Sequence, residues 1–122
     1  MFIDRLHQQN DIIAKALHAT AMRNDVIQNN IANVDTPGFR RSNVVFEQHF
    51  ADAIGNARRT GTLNPVAPRV VLQHANFTHR IDGNNVDIEN EMVSLFQNSV
   101  RYDVMVMSVL NNYRRINLAY QQ

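Results

Sequence analysis

Apolar residues recur at helical spacing near the start of the chain. From Leu6 to Val34 they are separated alternately by four and three residues, which is the spacing of a seam between packed helices. The row consists of Leu6, Asn10, Ile13, Leu17, Thr20, Asn24, Ile27, Ile31 and Val34. Asn10 and Asn24 are either exposed positions or buried polar residues that fix the register at a cost in stability. The predicted interface of this helix is formed by Leu6, Ile13, Leu17, Ile27 and Ile31.

The end of the chain repeats this spacing. One row consists of Ile88, Met92, Leu95, Ser99, Tyr102, Val106, Val109, Tyr113, Ile116 and Tyr120. A second row runs beside it, is interrupted at Asp103, and consists of Val93, Phe96, Val100, Met107 and Leu110. A single partner helix does not cover both rows, so the pattern predicts contacts with other chains. The predicted interface residues are Met92, Leu95, Tyr102, Val106, Val109, Tyr113 and Ile116.

Helix breakers divide the chain into three parts. All glycines and prolines lie between Pro37 and Gly83, which leaves both ends free to form long helices. The first helix is predicted to end near Val34, and Asp87 is the predicted N-cap of the last helix. The fold class is therefore mainly α, with two long terminal helices packed as an antiparallel coiled-coil-like hairpin. The parts are an N-terminal helix at 1–35, an irregular middle at 36–86 and a C-terminal helix at 87–122, within one domain.

The middle part shows no sustained period. Apolar residues between Phe46 and Ile54 predict a short helix, and Arg69 to Leu72 is a candidate strand that is too short to anchor a sheet. The stretch from Thr60 to Pro68 contains a glycine and two prolines and is predicted to be a loop.

Composition excludes several classes of protein. A net charge of +1 with 19% charged residues gives no field that favours nucleic acid or anionic lipid. No cysteine is present, which removes disulfides and thiolate chemistry. The polar and charged start predicts that no cleaved signal peptide is used, and the longest apolar run near the end is far shorter than the roughly 20 residues of a membrane span. We therefore expect neither a nucleic-acid-binding protein nor an integral membrane protein.

No group of residues in the sequence indicates an enzyme or a metal site. The oxygen-rich run from Asp82 to Glu89 fails as a calcium loop, because an EF-hand register places Val86 and Val93 at ligand positions. His74 and His79 are five residues apart without an acidic or cysteine partner at metal spacing. Three pairs of adjacent arginines, one of them Arg40–Arg41, are interpreted as solvated faces or subunit contacts. We expect no catalytic residue, no metal and no cofactor.

Two motifs carry a resemblance to a known family. The segment from Asn29 to Arg40 reads NNIANVDTPGFR and resembles the N-terminal signature of flagellar rod, hook and hook-associated axial proteins. A second motif begins DGNNVD at Asp82 and, with the short length of the chain, is most similar to the proximal members of the basal-body rod protein family. The resemblance implies a signature turn formed by Asn30, Ala32, Asn33, Thr36, Pro37, Gly38 and Phe39. It also implies a second motif formed by Asp82, Gly83, Asn84, Val86, Asp87 and Glu91.

The resemblance also implies a function. A member of this family is a structural subunit without catalysis, exported without a cleaved signal through the flagellar type III apparatus. Its terminal helices pack in the rod, on the periplasmic side of the inner membrane, and the rod transmits torque and encloses the export channel. The expected partners are copies of the chain, other rod proteins, and the basal-body ring and export-gate components at the base. The alternative is a small cytosolic helical-hairpin protein that acts as an export chaperone or regulator and dimerises through the same seams.

Overall fold

Two long helices dominate the computed structural model, which describes residues 2–62, 66–72 and 81–121. Helix α1 spans Phe2–Ala32, and helix α3 spans Ile88–Tyr120. They pack antiparallel: the amide of Asn112 donates to Asn10 near the start of α1, and the amide of Asn98 donates to the carbonyl of Thr20. The prediction of a mainly α fold with packed terminal helices is confirmed. No helix in these three ranges is long and apolar enough to cross a membrane.

The middle part holds one helix and a two-stranded sheet. Strand β1 (Ser42–Val45) precedes helix α2 (Glu47–Thr60), and strand β2 (Arg69–Leu72) follows it. The strands pair antiparallel with Ser42 opposite Leu72 and Val45 opposite Arg69. The predicted short helix and the predicted strand are both present. Thr60, predicted to begin a loop, is instead the last residue of α2, and Gly61 ends that helix with a φ of +76°. His74 and His79 lie outside the described residues.

Local sequence determines where α3 begins. The side-chain oxygen of Asp87 accepts hydrogen bonds from the backbone amides of Glu89 and Asn90, at 3.1 and 3.4 Å. These amides have no partner within the helix, so the contact satisfies groups that would otherwise be free. Glu89 and Glu91 place negative charge in the first turn, where the helix dipole favours it. The predicted N-cap is confirmed.

The interface between α1 and α3 is unusually polar. Its fully buried apolar side chains are few: Leu6, Ala19 and Ile27 on α1 and Ile116 on α3. More of the buried positions are polar, namely Asn10, Thr20 and Asn30 on α1 and Glu91, Asn98 and Asn112 on α3. Asn10 is therefore a buried seam residue, whereas Asn24 is half-buried. This polar seam holds the hairpin through hydrogen bonds that the amides of Asn98 and Asn112 donate to α1, as well as through apolar contacts.

The predicted interface residues are buried to different extents. In α1, Leu6 and Ile27 are buried, whereas Ile13, Leu17 and Ile31 are half-buried. In α3, Ile116 is buried inside the hairpin, and Leu95, Val106 and Val109 are half-buried. The remaining three are exposed, and they are Met92, Tyr102 and Tyr113. The buried row of α3 runs through Glu91, Asn98 and Asn112, one residue away from the apolar row, because polar residues occupy the positions that face α1.

Candidate functional site

The signature segment forms a series of tight turns directly after α1. The amide of Thr36 donates to the carbonyl of Asn33, and the amide of Phe39 donates to the carbonyl of Thr36, at 3.1 and 3.2 Å. The hydroxyl of Thr36 also donates to the side-chain oxygen of Asn33 at 3.2 Å. Gly38 has a φ of +72°, which side chains with a Cβ rarely adopt. Glycine is therefore required here for its backbone conformation.

Asn84 of the second motif is bound inside this turn. Its side chain is 1% exposed, and its amide nitrogen lies 2.9, 3.1 and 2.8 Å from the carbonyl oxygens of Asn33, Val34 and Thr36. The last carbonyls of a helix and of the turn that follows it lack partners within the helix. The side-chain oxygen of Asn84 in turn accepts from the amide of Val86 at 2.8 Å. One buried side chain thus joins the end of α1 to the segment that leads into α3.

Backbone contacts bring the two motifs into close contact. The amide of Gly38 donates to the carbonyl of Asp82 at 2.8 Å. Gly83 has a φ of +78°, and a Cβ built on it would lie 3.8 Å from Cα of Gly38, which is an ordinary van der Waals distance. The carboxylate of Asp82 accepts from the amide of Asn84 at 3.1 Å and closes a local turn. Gly83 is therefore favoured by its backbone conformation, not by a lack of space.

A buried polar cluster lies next to the turn. Asn30 is 0% exposed; its amide donates to the carbonyl of Ser42 at 2.8 Å, and its oxygen accepts from the amide of Ser42 at 2.9 Å. Glu91 is 2% exposed and accepts from Nε of Arg41 at 2.5 Å. The amide of Asn30 also lies 3.5 Å from Glu91. A charge-assisted hydrogen bond compensates the buried carboxylate, which would otherwise be very costly to bury.

The structure brings most residues of both motifs together and places a few elsewhere. We call the assembly of turn, Asn84 and the Asn30–Glu91 cluster the junction. Ala32 and Pro37 are exposed at its surface, Phe39 is half-buried and Val86 is buried. Asp87 acts separately as the cap of α3. Two further junction residues, Arg41 and Ser42, lie outside both motifs. Asn85 lies within the second motif without a predicted role, and its side-chain oxygen accepts from the amide of Arg41 at 2.7 Å.

Arg41 binds within its own chain. The interpretation of Arg40–Arg41 as a solvated or subunit-facing pair is wrong for Arg41, because its guanidinium binds the buried Glu91 of the same chain. Sequence offered no signal for this contact, because the two residues are 50 positions apart. Within the described ranges, no group of three or more histidines, cysteines or acidic residues is placed to hold a metal ion. Hydrogen bonds and the Arg41–Glu91 ion pair hold the junction together.

The outer side of α3 is apolar and exposed. We call Val93, Phe96, Val100, Val104 and Met107 the outer strip, and their exposures range from 45% to 72%. The spacing of three and four residues puts them on one side of a helix with 3.6 residues per turn, opposite the side that contains Glu91 and Asn98. Further large apolar residues beside the strip are also exposed: Met92, Leu110, Tyr113 and Leu118. The second row of the sequence pattern is therefore exposed, and Val100 within it borders a groove that α1 and α2 also line.

Comparisons with known proteins agree with these features. A model of the family described as "Flagella basal body rod protein" matches residues 11–40, which contain most of α1 and the signature turn. The chain is 33% identical to the flagellar basal body rod protein FlgB of Borrelia hermsii, over 97% of this chain and 94% of the relative. The FlgB of Borreliella burgdorferi is also 33% identical, over 88% of this chain and 92% of that protein. For the FlgB of Bacillus subtilis the identity is 30%, over 77% and 78% of the two chains. The chain therefore belongs to the FlgB family of flagellar basal body rod proteins.

Proposed function

We propose that this chain is a structural subunit of the proximal rod of the bacterial flagellum, and that the outer strip of α3 is covered by neighbouring subunits. The observation that carries the proposal is the distribution of polar and apolar side chains in the hairpin. Asparagine, threonine and glutamate side chains are buried between the helices, while large apolar side chains are exposed on the far side of α3. A helix of a monomeric protein normally places its apolar face towards the core.

The exposed strip is too extensive to be a chance feature of the surface. Its members follow one another over more than three turns of α3, from Val93 to Met107. Contiguous apolar surfaces of this kind mark sites of contact with other proteins. The area rule of about 25 cal/mol per Å² of buried apolar surface gives each covered side chain a favourable contribution of roughly 1.5–3 kcal/mol. The hairpin gains this energy only when neighbours pack against it.

The junction suits a subunit that carries mechanical load. It connects the end of α1 to the start of α3 through the buried side chains of Asn84, Asn30 and Glu91. Because Asn84 and Asn30 are bonded to the backbone at several points and Glu91 is bonded to Arg41, relative motion of the helix ends requires several hydrogen bonds to break together. A rigid connection between the helices supports a role in a rod that transmits torque and encloses the export channel.

The proposed location and partners follow from rod membership. The partners are copies of this chain, other rod proteins, and the basal-body ring and export-gate components at the base of the rod. The location is the rod on the periplasmic side of the inner membrane, reached through the flagellar export apparatus without cleavage of a signal peptide. The role proposed here involves no catalysis. The alternative of a helical-hairpin chaperone or regulator gains no support, since the relatives described above are named rod proteins.

Replacing Phe96 by glutamate tests the proposal. Phe96 is 72% exposed, so Phe96→Glu should leave the helicity of the purified chain unchanged while placing a charge in the covered surface of the rod. We expect loss of swimming in soft agar and basal bodies without rods in electron micrographs. Gln97→Glu adds the same charge one residue away, at a position that is already polar and exposed, and should swim normally. Normal motility of the Phe96→Glu strain would overturn the proposed role of the strip.

A further inference from the structure

One edge of the small sheet is closed by side chains of α1. Both polar backbone groups of Ser42 are bound to Asn30, at 2.8 and 2.9 Å, and the carbonyl of Val44 accepts from Arg23 at 3.3 Å. These backbone groups therefore point away from β2 and towards α1. Asn30 binds Ser42 as the backbone of a further strand would, so no additional strand pairs with β1 on this side.

The alternation of an antiparallel ladder then determines which groups of β2 are free. Because Ser42 and Val44 turn their polar backbone groups away from β2, the pairs Ser42–Leu72 and Val44–Val70 are the non-hydrogen-bonded pairs of the ladder. The amides and carbonyls of Val70 and Leu72 accordingly point away from β1. No contact within the described residues satisfies them. The edge is also apolar: the side chains of Val70, Val71 and Leu72 are 54%, 45% and 53% exposed.

We propose that this free edge of β2 pairs with the same edge of a second copy of the chain, antiparallel about a two-fold axis at Val71. In this register Val70 of each copy lies opposite Leu72 of the other, and the outward groups of both residues form four backbone hydrogen bonds. The two sheets join into one of four strands. Unpaired edges with exposed apolar side chains are common templates for such strand addition.

A second copy suits this edge because its own β2 presents the same outward backbone groups of Val70 and Leu72. The edge of β1 is closed, so a copy contributes a strand only through β2. The two-fold register also keeps like charges apart. Arg69 and its equivalent in the second copy lie at opposite ends of the strand pair, about 13 Å apart along the strands at 3.3 Å per residue. A two-fold contact closes on itself and does not propagate. The pairing therefore belongs to the chain outside the rod, and it goes beyond the proposed rod function.

Cysteine cross-linking of the full-length chain tests the register. The native chain has no cysteine, so any disulfide reports the introduced thiols. Val71 lies opposite Val71 of the second copy in a non-hydrogen-bonded pair, whereas Val70 lies diagonal to its own equivalent, at about 7–8 Å. Because disulfides require Cα separations below about 7 Å, Val71→Cys should form roughly tenfold more cross-linked dimer than Val70→Cys under mild oxidation. Equal yields of dimer from the two variants would overturn the proposal.

A second pair of variants tests the backbone hydrogen bonds. In the Val71→Cys background, Leu72→Pro removes an outward amide without removing a bond to β1, and Leu72→Ala shortens the same side chain while retaining that amide. We expect Leu72→Pro to abolish the cross-link and Leu72→Ala to retain it, with equal helicity by circular dichroism. A cross-link that survives Leu72→Pro would show that another surface brings the copies together. Loss of the cross-link in a Phe96→Glu background would assign the contact to the outer strip and would equally overturn the proposal, while leaving the rod function intact.

Discussion

The side-chain amide nitrogen of Asn84 lies 2.8 Å from the carbonyl oxygen of Thr36, a residue 48 positions earlier in the chain. The same nitrogen reaches the carbonyls of Asn33 and Val34, so a single side chain satisfies acceptors at the end of α1 and in the turn that follows. Two motifs that are far apart in sequence therefore act as one structural element. Their joint presence in the sequence has a physical reason, because each provides the hydrogen-bond partners of the other.

Replacing Asn84 by aspartate should destabilise the chain by about 3–5 kcal/mol, because an aspartate cannot donate to the three carbonyls and places a buried, uncompensated carboxylate against their oxygens. Urea unfolding followed by circular dichroism measures the free energy of unfolding. Asn117→Asp makes the same chemical change at an exposed position of α3 and should shift the free energy by less than about 0.5 kcal/mol. Similar stabilities of the two variants would show that the Asn84 contacts contribute little.

Gly38 and Gly55 form a matched pair for testing the signature turn. Gly38 has a φ of +72°, whereas Gly55 lies inside α2, where a Cβ added to the glycine would have no atom within 4 Å. We expect Gly38→Ala to cost about 1–2 kcal/mol and to reduce motility, because a Cβ disfavours the left-handed conformation. Gly55→Ala should be neutral or stabilising by up to about 1 kcal/mol, since alanine is the better helix former. Equal swimming rings of the two strains in soft agar would contradict the prediction for Gly38.

Much of the fold was predictable because the breaker-free ends and the spacing of apolar residues are local signals. The two terminal helices, the short central helix and the cap at Asp87 follow from them. Strand β1 was not predicted, since Ser42 and Asn43 are polar and the strand is held by Asn30 from another element. The buried row of α3 was also missed: hydropathy alone does not distinguish Asn98 in the seam from an asparagine on the surface. Both failures concern polar side chains whose hydrogen-bond partners are distant in the sequence.

Arg41 and Glu91 should be strongly coupled. Arg41→Met leaves the carboxylate of Glu91 buried without its cation, and we expect a loss of about 3–5 kcal/mol in the free energy of unfolding. The double variant Arg41→Met/Glu91→Met removes both charges and should be less destabilised than Arg41→Met alone. A double-mutant cycle from urea unfolding measures this coupling. Additive losses would indicate that the ion pair contributes no interaction energy of its own.

Glu47 provides a prediction about pH. The hydrogen bond from Arg23, at 2.6 Å, lowers the pKa of Glu47 below its ordinary value of 4.5, against the opposing effect of partial burial. A carboxyl whose pKa is depressed by folding contributes stability above its ordinary pKa and loses it as pH falls through the folded value. The tether between α1 and α2 should therefore weaken below about pH 4.5. The effect on overall stability should be small, because the Glu47 side chain is 64% exposed.

An NMR titration of the Glu47 carboxyl carbon checks this directly. Arg23→Gln removes the cation and should raise the pKa of Glu47 towards its ordinary value. Arg58→Gln changes an exposed arginine at the far end of α2 and should leave the titration of Glu47 unchanged. An identical midpoint for Glu47 in the native chain and the Arg23→Gln variant would show that the hydrogen bond does not persist in solution.

The polar seam also fixes the axial register of α1 against α3. Apolar side chains tolerate sliding of one helix along another, but Asn10 meets Asn112 and Thr20 meets Asn98 at fixed heights, and the cluster around Glu91 closes the end of the hairpin. A slip by one turn, about 5.4 Å, would separate all of these pairs at once and leave buried polar groups without their hydrogen-bond partners. Every copy of the chain therefore holds the outer strip of α3 at the same axial position relative to α1. Repeating identical contacts along a rod depends on that uniformity, and in this chain asparagines provide it.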